Sequence, residues 1–351
     1  MTGWGSATVE WHWIERFREQ FSVCGVHPGE ACIVLCESAS RPALIETSRL
    51  ALAALGAHVA VVELPTPPNP GPVPVRSTGA SVALRGHPSV VAAAAASGFV
   101  VDCTVEGMLH APELGAILAG GARVLMVSNE HPEVFERLPH DPDLRPRVEL
   151  GVKLLEAAAV MRITSDAGTD LTVRLDGAVR AGSYGWTTEP GTIAHWPGGL
   201  VLCFPAAGTV AGRLVLAPGD VNLTFKEYVR DPVALVVEDD HIVNVEGDGL
   251  DAELFRSYLG AWGDREAYAV SHVGWGMNPA CRWDALPLYD KGDVNGTELR
   301  AFAGNVLYST GANEVAGRFT RGHFDLPLRR CTVELDGTAI VAAGRLQPPL
   351  A

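Results

Sequence analysis

The sequence predicts two domains: an N-terminal open α/β domain over 1–140, then a mostly antiparallel α+β metal-binding domain over 141–351. Three observations predict them. The chain has 351 residues, more than one core usually holds. Over the first 140, short apolar runs alternate with helical stretches, which is the grammar of a parallel sheet covered on both faces. Beyond that point, alternating runs are joined by turn residues, which is the grammar of antiparallel hairpins.

Val9, Trp13, Ile14, Phe17 and Phe21 fall at helical spacing over 8–22, so an amphipathic helix opens the fold. ACIVLCES (31–38) and HVAVVEL (58–64) read as buried strands with a helix between them. The Pro-rich segment PTPPNPGPVP that follows suits neither a helix nor a central strand. An Ala-rich helix (88–97), FVVDCTV (99–105), a helix around 112–120 and RVLMVSN (123–129) complete the first domain. The polar stretch LPHDPDLRPR (138–147) reads as a linker, with a helix over 148–160. Hairpins are then expected around Asp166–Gly168 and Asp239–Asp240, because the flanking runs alternate and the centres supply turn residues. No GxGxxG follows the first strand, where the loop reads ESASRP, so a nucleotide cradle is not indicated. The first domain is expected to be a scaffold and assembly surface that lends a few residues to a neighbouring site.

Charge and composition narrow the function. Lys plus Arg is 27 and Asp plus Glu is 41, a formal charge of −14, which repels a phosphate backbone and argues against nucleic acid. No basic stretch followed by an apolar run marks a secretory signal. The longest apolar segment, 90–101, is far short of the ~20 residues a membrane span needs. The seven Cys are an odd number without a CxxC pair and several lie in apolar runs, so a reduced, cytoplasmic setting is expected.

Chemistry concentrates near the C-terminus. In RFTRGHFDLPL, His323 and Asp325 stand two apart in a strand-like run, so period-two alternation sends both to one face and Phe324 to the other. AYAVSHVGWGMNP ends an apolar run with His272 and is expected to turn through Gly274 and Gly276, close to an ion or ligand. Taken singly, these are residues that a surface pair or a satisfied core histidine would also explain. Two His and one Asp together form the facial triad of mononuclear non-haem iron(II) enzymes, although zinc hydrolases use a similar set.

The motifs GTDLTV (168–173), AHWPGG (194–199), SHVGWGMNP (271–279), LYSTGANE (307–314) and GHFDLP (322–327) resemble those of the 2,5-dihydroxypyridine 5,6-dioxygenase family, a distant relative of the thermophilic leucyl aminopeptidases. The resemblance covers most of the chain, in order and at similar spacing. It implies that His272, His323 and Asp325 bind one Fe(II), that His195 is the catalytic base, that His110 reaches the substrate from the first domain, and that Ser309 helps to handle a proton. It also implies a small aromatic N-heterocycle and O2 as substrates, N-formylmaleamate as product after opening between ring carbons 5 and 6, and a homo-oligomer. A metal-dependent hydrolase of the same superfamily, an aminopeptidase or aromatic aminohydrolase, is the alternative. The resemblance argues against it, because the peptidases' Glu-rich segment is replaced by WPGGLVLCF, where Gly198, Gly199 and Leu200 cannot ligate a second metal. Trp186, Trp196, Trp275 and Phe324 are expected to wall the pocket.

Overall fold

The computed structural model describes residues 8–69 and 81–351; the later part of the Pro-rich segment lies outside them. Five strands form a wholly parallel sheet in the order His58–Leu64, Ala31–Glu37, Phe99–Asp102, Arg123–Met126, Ile193–His195. The inner strands are buried on both faces, as continuous apolar runs in a covered parallel sheet should be. Helices Trp11–Val23 and Pro42–Ala54 seat Phe17, Phe21, Leu44 and Leu52 on one face, against Val34, Phe99 and Leu125. Helices Pro88–Ala95 and Leu114–Ala119 cover the other, where Ala94 and Ile117 meet Leu35, Val100 and Val124.

The edge strand Ile193–His195 lies well past residue 140, yet it pairs in register with Arg123–Met126. A single cut at 140 therefore does not separate the sheets, and the chain returns to the first one after an excursion of 66 residues, 127–192. The short helix Pro132–Arg137 was not expected; its Phe135 packs on Trp196 with ring centroids 4.4 Å apart. The helix expected at 148–160 runs instead over Leu144–Ala157 and absorbs the end of the supposed linker. Pro146 sits in its first turn, where a missing N–H leaves no intrahelical bond unmade.

The remaining strands form an eight-stranded sheet, a five-stranded sheet and the small pair Val221–Asn222 with Glu227–Tyr228, all of whose neighbours are antiparallel. One apolar core lies between them, drawing Ile163, Leu171 and Leu235 from the larger sheet and Val201, Trp275 and Leu326 from the smaller. The hairpins close near Gly168 and at Asp239–Asp240 as expected. The smaller sheet runs Phe324–Leu328, Val306–Thr310, Val270–Gly276, Leu200–Phe204, Val179–Ser183.

Gly274 and Gly276 lie inside the strand Val270–Gly276 rather than in a turn. Their role is close backbone approach: a Cβ on Gly274 would stand 2.0 Å from the Val201 carbonyl oxygen of the adjoining strand. Gly274→Ala should therefore force these strands apart and cost about 3 kcal/mol, read as a lower urea midpoint with an unchanged slope. An unchanged midpoint would show that the sheet absorbs the methyl group. All seven cysteines are free and buried, and no described helix is long and apolar enough to cross a membrane.

Candidate metal centre

Three adjacent strands of the smaller sheet bring His272, Ser309 and Asp325 side by side. Ser309 stands directly opposite Asp325 in the antiparallel register. The register of Val270–Gly276 against Val306–Thr310 slips by one residue between Val270 and Val273, a β-bulge that contains His272. Bulges re-aim a side chain locally, and here the imidazole Nε2 is brought to 2.9 Å from Ser309 Oγ. His323 lies one residue before the strand Phe324–Leu328, with its Nε2 3.2 Å from Asp325 Oδ1; His272 Nε2 is 3.7 Å from the same oxygen. Phe324 points the opposite way and stacks on Phe255 at 4.3 Å. The expected alternation about residue 324 is what the structure contains.

The protonation states of this cluster follow from its burial and charges. His272 is buried, which pushes its pKa down to about 3 and leaves a neutral imidazole. Burial alone would raise Asp325, but the Arg300 guanidinium and the two imidazoles outweigh it and hold the carboxyl well below its usual range. Arg300 Nε donates to Asp325 Oδ2 at 2.6 Å, while Arg300 Nη1 donates to the Asn295 carbonyl at 3.2 Å. One carboxylate oxygen is thereby engaged and the other faces the imidazoles. A neutral nitrogen donor beside an ionised carboxylate is what a divalent first-row metal requires, and gaps of 3.2 and 3.7 Å suit donors that each stand about 2.1 Å from one ion. As the side chains stand, the Ser309 hydroxyl bridges His272 Nε2 and Asp325 Oδ1, and no group of three donors among the described residues forms an open metal cage. A metal ion at this point would take the place of the Ser309 contact to both atoms.

The cluster opens onto a cavity of about 140 Å³, close to the ~150 Å³ of an engineered apolar cavity that accepts benzene. His110 and His195 line it from the parallel sheet's side. His110 arrives on the chain after Phe99–Asp102, pinned by two buried carboxylates. Asp102 accepts from Thr104 N, Thr104 Oγ1 and Met108 N at 2.9, 2.6 and 2.9 Å, and Glu37 accepts from Val105 N at 3.3 Å. The His110 ring centroid lies 6.3 Å from that of His272 and 6.2 Å from that of His323. His195 ends the strand Ile193–His195, at the carboxyl edge of the parallel sheet. Open α/β sheets bind ligands outside that edge. Burial, with Arg300 and His110 nearby, lowers its pKa to about 4, below the ordinary value expected from sequence. Its ring nitrogens have no hydrogen-bond partner among the described residues.

The expected aromatic wall is corrected. Trp186 and Trp196 pack in the core beneath the parallel sheet, and Trp275 and Phe324 in the core between the antiparallel sheets. The pocket wall is instead Leu200, Leu202 and Phe204, which alternate along one strand while Val201 and Cys203 enter the core. Because every residue of LVLCF is apolar, no alternation in the sequence marks which of its faces lines the pocket. Arg300 and Glu314 were also missed. Arg300 stands in the five-residue helix Thr297–Ala301, where no motif marks it, and Glu314 ends the quoted LYSTGANE without a partner nearby in sequence.

An open parallel sheet lending two histidines to a cleft floored by a buried two-His, one-Asp cluster defines an α/β and α+β protein with a histidine-rich cleft between its sheets. The family model for 2,5-dihydroxypyridine 5,6-dioxygenase matches residues 12–348. The chain is 36% identical to the 2,5-dihydroxypyridine 5,6-dioxygenase of Pseudomonas putida over 95% of its own length and 96% of the relative's. It belongs to the 2,5-dihydroxypyridine 5,6-dioxygenase family. The solved structure of 2,5-dihydroxypyridine dioxygenase from Pseudomonas putida superposes with a TM-score of 0.90 at 35% identity, covering 96% of this chain and 97% of that one. AmpT from Thermus thermophilus shares the fold alone, with a TM-score of 0.64 at 14% identity over 95% of this chain and 98% of that one.

Proposed function

We propose that this protein is an iron(II)-dependent dioxygenase that opens 2,5-dihydroxypyridine, or a close hydroxypyridine, between ring carbons 5 and 6 to give N-formylmaleamate. The observation that carries the reading is the convergence of His272, His323 and Asp325 on a cavity sized for one aromatic ring, with two more imidazoles facing it. Iron held by those three side chains would activate O2 and act as a Lewis acid toward a ring hydroxyl oxygen. Arg300 keeps Asp325 ionised and occupies its outer oxygen, so one oxygen remains for the metal. His195, neutral at working pH, accepts the proton of the ring hydroxyl; the anion formed beside it raises the affinity of the imidazole for that proton. Ser309 stands at hydrogen-bond distance from His272 and is placed to hold a proton on substrate or oxygen. Leu200, Leu202 and Phe204 keep water from the open ring face. Both oxygen atoms are retained, so the product equals the ring plus one O2.

A two-metal hydrolase would need further carboxylates, and the pocket-facing positions of the strand Leu200–Phe204 carry none. The test is anaerobic iron loading followed by oxygen uptake with 2,5-dihydroxypyridine. One O2 consumed per ring, with loss of the ring chromophore, is expected. An iron-loaded protein that consumes no oxygen, or a zinc-loaded one that hydrolyses peptides, would overturn the proposal.

A further inference from the structure

We infer that Glu314 is a positioning residue that fixes His110 as its Nδ1–H tautomer, so that the bare Nε2 faces the cavity as an acceptor and selects a ring bearing an N–H or O–H donor. The inference rests on the reading of the cavity as the substrate site.

His110 Nδ1 lies 3.3 Å from Glu314 Oε1, across 204 residues of sequence and between the two halves of the fold. An ionised carboxylate can only accept, so this contact places the proton on Nδ1 and leaves Nε2 with its lone pair. The His110 side chain is 2% exposed, and Nε2 is buried with no hydrogen-bond partner among the described residues. A buried acceptor left unpaired is unfavourable, and an orphan of that kind in a cavity wall is matched to a ligand. The neighbours facing the ring offer it nothing: His272 and His323 stand more than 6 Å away between centroids, and Phe204 is apolar.

Glu314 is presented from a rigid turn, although its own side chain is 44% exposed. It opens the one-turn 3₁₀ helix Glu314–Ala316, whose preceding residue Asn313 caps Ala316 N. Asn313 is fully buried, donates from Nδ2 to the Pro205 carbonyl at 2.8 Å, and exchanges backbone hydrogen bonds of 3.1 and 2.9 Å with Arg318. The carboxylate is thus held against His110 by a turn that does not depend on His110.

Two measurements test the inference. Two-bond ¹H–¹⁵N spectra of histidine-labelled, zinc-loaded protein above neutral pH, with His110 assigned through His110→Ala, should show the Nδ1–H form, and Glu314→Ala should abolish that preference. An Nε2–H form or an imidazolium in the wild type, or an unchanged tautomer in Glu314→Ala, overturns the inference. In the iron-loaded enzyme, Glu314→Ala should lower kcat/KM about tenfold, the size of one lost charge-assisted hydrogen bond. In a His110→Ala background the same change should cost less than about twofold, because Glu314 acts through His110. Losses that multiply in the double variant overturn it, since a merely structural role would act in both backgrounds. A wild-type enzyme that binds iron but leaves the ring intact would sink the ring-opening proposal instead, and the spectra would still decide the tautomer.

Discussion

His323→Ala should fold normally, retain no stoichiometric iron and open no ring. The imidazole is one of the two proposed nitrogen donors, and two remaining side chains would not hold a labile divalent ion in a fixed geometry. The fold should survive because the ring borders the cavity, so its removal enlarges an existing space. The backbone carbonyl of residue 323, which accepts from Thr224 Oγ1 at 2.9 Å, is retained in the variant. Asp325→Asn is a less clean test, because it disrupts the buried pair with Arg300, and breaking such a pair costs about 3–5 kcal/mol. Metal analysis, oxygen uptake and a thermal melt on one His323→Ala sample settle the matter. Stoichiometric iron with full turnover would remove the ligand assignment.

His195→Ala should keep iron and bind substrate, while kcat falls by roughly two to four orders of magnitude. Its imidazole touches none of the proposed ligands through a hydrogen bond, so the metal cluster has no reason to change. The pKa near 4 sets the sign of the pH dependence. In the wild type the base is already neutral well below the range of an ordinary histidine, so the acid limb of kcat/KM should lie lower than pH 6.5. In the variant the residual rate should rise with pH, as more substrate ionises unaided. A brace that only shapes the pocket would behave differently: KM would rise and kcat at saturation would stay near wild type. A near-normal kcat, with iron content verified, would therefore end the base assignment.

What could be read from the sequence depended on the length of each pattern. Parallel strands of four to seven residues and hairpins with Asp-Ala-Gly or Asp-Asp centres carry enough period to be seen, and local alternation about Phe324 foreshadowed the pairing of His323 with Asp325, which His272 joins from a separate motif. The strand Ile193–His195 has three residues and the helix Pro132–Arg137 has six, too few for a period to show. Thus His195 was found through its motif alone. Arg300 and Glu314 matter through partners 25 and 204 residues away, a relation that no local pattern carries. The four aromatics went wrong for another reason: bulk and proximity to the motifs suggested a wall, whereas full burial of large rings serves the cores.

The slip in register beside His272 has a consequence for how this strand can change. Val270 faces the core, and so do Val273 and Trp275, which an uninterrupted two-residue alternation would forbid. The additional residue acts as a parity switch: odd positions after it inherit the inward face, and His272 is left on the outer one. Substitutions along 270–276 alter one side chain at a time. Loss of the extra residue would restore strict alternation with Val270, Val273 and Trp275 still inward but remove the bulge that aims His272 at Ser309, and loss of a residue beyond it would exchange the two faces of all that follows. The strand should therefore tolerate no change in length, so that among natural variants of this protein indels fall in the surrounding loops and spare these seven positions.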